Sequence, residues 1–383
     1  MNDISYLQIS TKTCSENCQG LFDFSSFQYD KKPWKIYKPC NIYLHENKCY
    51  IPTGQTHNGS VGLISISKSH ENFCACVIED GEKVWRVVRK CKKNPNGLKI
   101  NEGDFIKIGK VLLYAKVFGL GVTTINSKVI QNFFEDKEDR RVLVPLEVNG
   151  EDVCRICLNE ANTEENPLIS PCKCSGTMKA IHHHCLQKWV KSKVESRVST
   201  KTTSFIKQDI CCELCHELFP IKLINNNKES LLIDFLFSSP ENFIALEEFS
   251  SDKSEKLALH IINVPENNKI SIGRSVWSDL KLKDISVSRN HCKIKNIGSE
   301  FYLKDKNSKY GTLVEVKNEV KIKDFDISLQ VGRTVFKITQ KKPWNFRKCC
   351  KKNNKVDCED RAGRTLMESN DANTEIVGFI QNC

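Results

Sequence analysis

The chain has 383 residues, 39% hydrophobic and 27% charged, with a formal net charge of +11 and 20 cysteines. That composition fits a globular protein of two or three domains and excludes fibrous and fully disordered classes. No apolar run reaches the roughly 20 residues a membrane-spanning helix needs, and the polar opening Met-Asn-Asp-Ile-Ser-Tyr carries no secretory signal, so the cysteines point to a reducing compartment and not to disulfides.

In chain order, residues 1–30 read as a tail. Residues 31–120 hold short alternating runs, among them Glu102-Gly-Asp-Phe-Ile-Lys-Ile-Gly109 and Val111-Leu-Leu-Tyr-Ala-Lys-Val117, which read as strands of a small β domain. Cys14 and Cys18 of the tail and Cys40 and Cys49 of this domain stand at spacings that match no metal knuckle pair. Residues 121–149, with Glu135-Asp-Lys-Glu-Asp-Arg-Arg141, read as a charged linker.

Residues 150–220 carry the strongest signal. Cys154, Cys157, Cys172, Cys174, His182, Cys185, Cys212 and Cys215 give C-x2-C, C-x-C, H-x2-C and C-x2-C in order. Zinc takes four thiolate or imidazole donors in a tetrahedron, and an x2 knuckle delivers two of them. Eight donors mean two Zn²⁺ per chain, both structural, since no coordination position is left for a reacting water. His182 alone gives the x2 spacing to Cys185, and His183 and His184 read as solvated neighbours.

The words around the donors, Asp152-Val-Cys-Arg-Ile-Cys157, Ser170-Pro-Cys-Lys-Cys-Ser-Gly-Thr-Met178 and His182-His-His-Cys-Leu-Gln-Lys-Trp189, resemble the RING-CH (RINGv) finger of membrane-associated ubiquitin ligases. The resemblance implies a cross-brace, with Cys154, Cys157, His182 and Cys185 on one zinc and Cys172, Cys174, Cys212 and Cys215 on the other. It also implies a contact face for a ubiquitin-conjugating enzyme at Ile156, Pro171 and Trp189. A PHD finger shares the donor order but usually carries its tryptophan just before the last pair, whereas Trp189 follows Cys185. The basic, Ser/Thr-rich insert between Cys185 and Cys212 has no readable role.

Residues 221–240 read as a second linker. Beyond it, Ile270-Ser-Ile-Gly-Arg274, Ile285-Ser-Val-Ser-Arg-Asn-His291 and Asn307-Ser-Lys-Tyr-Gly-Thr312 resemble a forkhead-associated (FHA) domain, spanning about residues 241–340 as one β-sandwich. The resemblance implies phosphothreonine binding by Arg274 and Ser288, with Arg289, Asn290, Lys309 and Tyr310 beside them. Gly273, His291, Gly311 and Thr312 are implied supports. A guanidinium fork and a hydroxyl suit a phosphate dianion. Tyr310 stands where the family often has Asn.

Laid beside this segment, residues 31–120 look like a degenerate copy, with Gln55 in place of the arginine, Ser67-Lys-Ser-His70 in place of Ser-x-x-His and Asn94-Pro-Asn-Gly97 at the turn. A neutral amide does not offset a phosphate charge, so this copy is expected to bind no phosphate. The tail at 341–383 concentrates basic charge around Cys349 and Cys350. It reads as solvated, with lipid modification and peripheral membrane contact as the alternative. A nucleic-acid role is not expected, because only Trp344 and Phe346 could stack.

The expected architecture is therefore an α+β multidomain chain: a degenerate FHA-like sandwich, a cross-braced two-zinc RING-CH finger and an FHA sandwich. The expected function is that of a RING-type ubiquitin-protein transferase in the cytoplasm, or else in the nucleus or at a membrane surface. It would bring a ubiquitin-conjugating enzyme to phosphorylated partners. Two other readings stay open: a non-enzymatic phospho-dependent scaffold, and a histone-reading PHD finger joined to an FHA domain.

Overall fold

A computed structural model describes residues 6–14, 21–24, 33–46, 48–69, 72–78, 83–88, 95–120, 127–134, 142–147, 152–194, 196–232, 242–250, 253–317, 319–322 and 326–341. The expectations for Cys18, His70, Cys349, Cys350 and the tail lie outside these residues.

The first repeat supplies β1 (Tyr6–Thr13), β2 (Trp34–Ile36), β3 (Cys40–His45), β4 (Lys48–Tyr50), β5 (Val61–Ser69), β6 (Asn72–Val77) and β7 (Val84–Val88). It continues with β8 (Leu98–Ile100), β9 (Phe105–Ile108) and β10 (Val111–Leu120). Then come α1 (Ser127–Phe134), β11 (Val142–Leu143), β12 (Leu168–Ile169), β13 (Ile181–His182) and α2 (His183–Lys193). The zinc-module insert forms β14 (Ser196–Val198) and β15 (Thr202–Ile206), followed by β16 (Lys222–Asn225) and β17 (Lys228–Leu231). The second repeat runs through β18 (Asn242–Phe249), β19 (Lys256–Asn263), β20 (Lys269–Gly273), β21 (Leu280–Lys281), β22 (Cys292–Ile297), β23 (Glu300–Asp305) and β24 (Thr312–Glu315). It ends with β25 (Val320–Ile322), β26 (Ile327–Val331) and β27 (Thr334–Lys341).

The strands alternate buried and half-buried side chains with period two, as in Tyr6–Thr13 and Glu300–Asp305. Their pairing departs from the expectation of one sandwich within 31–120 and another within 241–340. The long sheet reads β14-β15-β19-β18-β10-β9-β24-β7-β26-β27-β1-β2, and two five-stranded sheets read β21-β20-β22-β23-β8 and β25-β6-β5-β3-β4. From β19 to β2 the long sheet is palindromic. Each repeat gives its first strands to one sandwich and its last three strands to the other, so β8, β9 and β10 complete the second sandwich while β25, β26 and β27 complete the first. β1 pairs with β27 along its whole length, from Tyr6 against Lys341 to Thr13 against Thr334, and β10 pairs in the same way with β18. The two sandwiches meet where β7 and β24 pair antiparallel, Thr312 opposite Val88.

The cores confirm the exchange. Leu7, Ile42, Ile64 and Phe73 of the first repeat are buried with Ile322, Leu329, Phe336 and Ile338 of the second. Ile100, Ile106 and Leu113 are buried with Ile244, Ile270, Ile294 and Leu303. Phe118 packs edge-on against Phe301 at 5.0 Å, so an aromatic of β10 fills the core behind β23. Each fully buried residue of this size contributes about 1.5–3 kcal/mol, so neither sandwich can spare its borrowed strands.

Both stretches read as linkers carry structure. In 121–149, α1 buries Ile130, Phe133 and Phe134, and its terminal carbonyls accept from Lys207 Nζ (Phe134 O, 2.8 Å) and Lys256 Nζ (Asn132 O, 2.9 Å). In 221–240, β16 and β17 form a hairpin whose turn residues Asn226 and Asn227 have φ of 47° and 59°, the two-residue turn that asparagine tolerates. β11 joins that hairpin in parallel. The insert with no readable role is the β14–β15 hairpin, which extends the sandwich sheet by pairing Thr202–Ile206 with β19. Phe205, Phe243, Leu259 and Ile261 then share one core with Leu186 and Val190 of α2, so the zinc module and the second sandwich are packed together.

Candidate zinc centres and phosphopeptide site

Cys154, Cys157, His182 and Cys185 converge in one group and Cys172, Cys174, Cys212 and Cys215 in another, with donor atoms in each group within 4.8 Å of one another. This is the cross-brace expected from the resemblance. The two knuckles share a geometry: Leu158 N–H donates to Cys154 O (2.8 Å) and His216 N–H to Cys212 O (2.9 Å), and both Leu158 and His216 have φ of 57°. His182 Nε2 donates to Ala161 O at 2.5 Å, which leaves Nδ1, 3.2 Å from Cys157 Sγ, as its donor to a metal. Arg155 ties the groups together, donating to Met178 O (2.7 Å) and to Cys212 Sγ (3.4 Å).

The sulfur electrostatics fit a cation. Burial raises the Cys212 thiol, but N–H groups of Cys215 and Leu214 and the Arg155 guanidinium outweigh it and bring it down to about 6. In the other group burial is outweighed by backbone N–H groups, among them those of Cys157 and His182, bringing Cys154 to about 7. Burial and neighbouring thiols push Cys172 and Cys185 up to about 12. Crowded sulfurs cannot all ionise without a positive charge among them, and Cys₃His and Cys₄ donor sets suit tetrahedral zinc. His183 corrects one expectation: it is buried, not solvated, and burial pulls its pKa down to about 4, keeping it neutral.

Ile156 lies on the surface at the middle of the first knuckle, 44% exposed. Trp189 is half-buried, edge-on to Phe219 at 5.8 Å with Lys193 Nζ 5.5 Å above it. Pro171, beside Cys172, is buried, unlike Ile156. Leu214, which the sequence analysis did not single out, is 57% exposed. Its position in Cys212-Glu-Leu-Cys215 equals that of Ile156 in its own knuckle, and this was the available signal.

In the second sandwich Gly273 ends β20, and a Cβ there would stand 2.2 Å from Arg289 O, so only glycine allows the approach. Arg274 N–H donates to Ser288 O (3.1 Å) and its Nε to Val287 O (3.3 Å), which sets the guanidinium beside the Ser288 loop. Buried His291 braces that loop: Nδ1 accepts from Ser288 N–H and Nε2 donates to Gly311 O, both at 3.0 Å. Burial holds His291 below the ordinary imidazole range. Ser288 Oγ accepts from Lys309 N–H at 3.0 Å. Beneath, Asp305 accepts from Ser308 Oγ and Thr312 Oγ1. Arg274, Arg289, Asn290 and Lys309 are exposed around this point and Tyr310 is half-buried. The structure thus assembles the sequence-predicted set, with Arg274 and Ser288 on facing loops and His291, Gly311 and Thr312 behind them.

The repeat alignment needs correction. Ser67 lies inside β5, paired with Cys74, and not in a ligand loop. Gly97 leads into β8, which pairs with β23 of the other sandwich, so the turn at Pro95 and Asn96 serves the exchanged strands.

Residues 154–215 match the RING-variant domain family and residues 270–335 the FHA domain family. The FHA match is continuous in sequence but crosses both sandwiches, since β25 and β26 fold into the first. The chain is 38% identical over 72 residues to the E3 ubiquitin-protein ligase MARCHF7 of Rattus norvegicus, covering 19% of this chain and 10% of that protein. It is 43% identical over 65 residues to the E3 ubiquitin-protein ligase MARCHF1 of Homo sapiens, 17% of each chain. With the ERAD-associated E3 ubiquitin-protein ligase DOA10 of Saccharomyces cerevisiae it shares 36% identity over 115 residues, 29% of this chain and 8% of that one. The chain thus spans a fifth or less of these relatives' lengths. No solved structure matches. Among the described residues no helix is long and apolar enough to cross a membrane. The chain carries a RING-variant domain and an FHA domain, and its relatives through the shared segment are E3 ubiquitin ligases.

Proposed function

We propose that this protein is a RING-type ubiquitin ligase that recruits a ubiquitin-conjugating enzyme through Ile156, Trp189 and Leu214 and selects phosphothreonine-containing partners through Arg274 and Ser288. The observation that carries the reading is the β15–β19 pairing, which makes the insert of the zinc module a strand of the sandwich that bears Arg274. A phosphoprotein held at Arg274 would then sit at a set distance from the conjugating-enzyme face, raising its effective concentration at the thioester. The module needs no nucleophile of its own, because holding thioester and acceptor lysine in a near-attack geometry lowers the barrier. Zinc, when bound, supplies the fold of the knuckles. Ile156 and Leu214 give the apolar contact, and Arg274 and Ser288 give charge-assisted hydrogen bonds to the phosphate.

The test is ubiquitin transfer by the full chain, with activating enzyme, a panel of conjugating enzymes and ATP, to itself and to a phosphothreonine-peptide fusion. The reading expects Ile156→Ala to lower both transfers while zinc content stays at two, and Arg274→Ala to lower only transfer to the phosphorylated fusion. Inactivity with every conjugating enzyme, in a protein that holds two zincs and binds phosphopeptide, would favour the scaffold.

A further inference from the structure

The segment after β1 lies against the loop that bears Lys309. Phe24 N–H donates to Lys309 O at 2.8 Å. Asp23 Oδ2 is 3.6 Å from Lys309 Nζ. A Cβ on Gly311, whose φ is 72°, would stand 2.7 Å from the Phe24 ring, so ring and backbone are in direct apposition. Phe22 and Phe24 are 2% and 4% exposed, buried with Val87 of β7, Leu313 of β24 and Val335 of β27. This anchor exists because the repeats exchange strands at the seam. The loop on the other side is also held from the first repeat, since Lys110 N–H, in the β9–β10 turn, donates to Ser286 Oγ at 2.8 Å.

We propose that the phosphopeptide site is shared between the two halves of the chain: Phe24 positions the Lys309 loop, and Asp23 holds the Lys309 ammonium in competition with the phosphate. The inference rests on the phosphopeptide reading of Arg274 and Ser288. Lys309 N–H donates to Ser288 Oγ and Gly311 O accepts from His291, so a shift of residues 309–311 moves both the hydroxyl and its brace. Lys309 and Asp23 are both solvent-accessible, so their pair is weak and displaceable. A carboxylate held beside the lysine opposes an incoming dianion, and salt screens that opposition.

The test is fluorescence anisotropy of the full chain against pooled phosphothreonine peptides with randomised flanks and the same pool unphosphorylated, at low and physiological salt. Asp23→Asn is expected to bind the phosphorylated pool about threefold tighter at low salt, with the gain shrinking as salt rises. Phe24→Ala is expected to bind about tenfold weaker, with Phe24→Leu between it and wild type. A tightening is an effect that mere loss of fold cannot produce. If Phe24→Ala loses its zinc or melts, Phe24→Leu and Asp23→Asn decide. Asp23→Asn binding no tighter than wild type overturns the competition, and Phe24→Ala or, where that variant melts, Phe24→Leu binding as wild type overturns the positioning. Wild type binding both pools equally, unaffected by Arg274→Ala, would instead overturn the phosphopeptide reading itself.

Discussion

The two sandwiches share one strand order and differ at the loops where a phosphate would bind. In the second, β20 ends at Gly273 and Arg274 follows, facing Ser288 with His291 behind it. In the first, β3 ends at His45, whose ring stacks on His57 at 5.2 Å, while Tyr50 Oη bonds Ser60 at 2.8 Å and accepts from His57 N–H at 3.1 Å. Aromatic and hydroxyl packing stands in the first where a guanidinium and its brace stand in the second. The buried faces keep a common pattern because every strand must fill a core, whereas the loops at the sandwich end answer only to a ligand.

The largest expected effect tests the exchange. Residues 316–319 connect β24 to β25 across the seam, and a connection so short favours a partner's strands over folding back. A fragment of residues 241–341 should therefore form a dimer by reciprocal exchange, seen as doubled mass in light scattering of the eluted peak. A folded monomer would show that a single repeat closes on its own strands. Zinc removal comes next. Chelation should melt the zinc module together with the β14–β15 hairpin, since they share a core, and each structural zinc is worth about 10–16 kcal/mol of apparent binding energy. Because Cys172 and Cys185 sit at about 12 without metal, zinc uptake at neutral pH should release protons, measurable as buffer-dependent calorimetric heats, and affinity should fall as pH falls.

Arg274→Ala should weaken phosphopeptide binding about 30- to 100-fold through loss of charge-assisted hydrogen bonds. His45→Arg in the first sandwich should create no such binding, because among the described residues no buried histidine of that sandwich braces a loop as His291 does; measurable affinity would show that charge alone suffices. The smallest effect is a pH dependence of stability. His291, facing Ser288 N–H, Gly311 O and the charge of Asp305, has its pKa held below 6.5 by burial. The unfolded chain therefore takes up the proton first. The stabilising contribution is complete above 6.5 and is lost as pH falls from there toward the folded-state value. Thermal melts of wild type and His291→Asn should converge in that window, and a constant gap would assign His291 no titrating role.

Much of both sites was legible in the sequence because each is written in short words. A zinc knuckle is closed within four residues, and the Ser288 to His291 brace spans one turn, so spacing alone indicates which atoms meet. The β14–β15 insert and the burial of Pro171 were not legible, since an edge strand is defined by the sheet it joins and burial by what covers it. The register of the first repeat was not legible either, because Ser67 keeps the spacing of a ligand loop but lies inside β5, paired with Cys74.

The sequence by itself determined which eight Cys and His residues gather into two groups of four, that Arg274 and Ser288 meet on adjoining loops, and the alternating strands of two related repeats. Only the tertiary structure decided which repeat's strands close which sandwich. Alternation specifies a buried face but not whose face it meets, and β27 lies on β1 while β10, its counterpart in the first repeat, lies on β18. The exchange brings β7 and β24 together as an antiparallel seam. That seam seats Phe24 against Gly311.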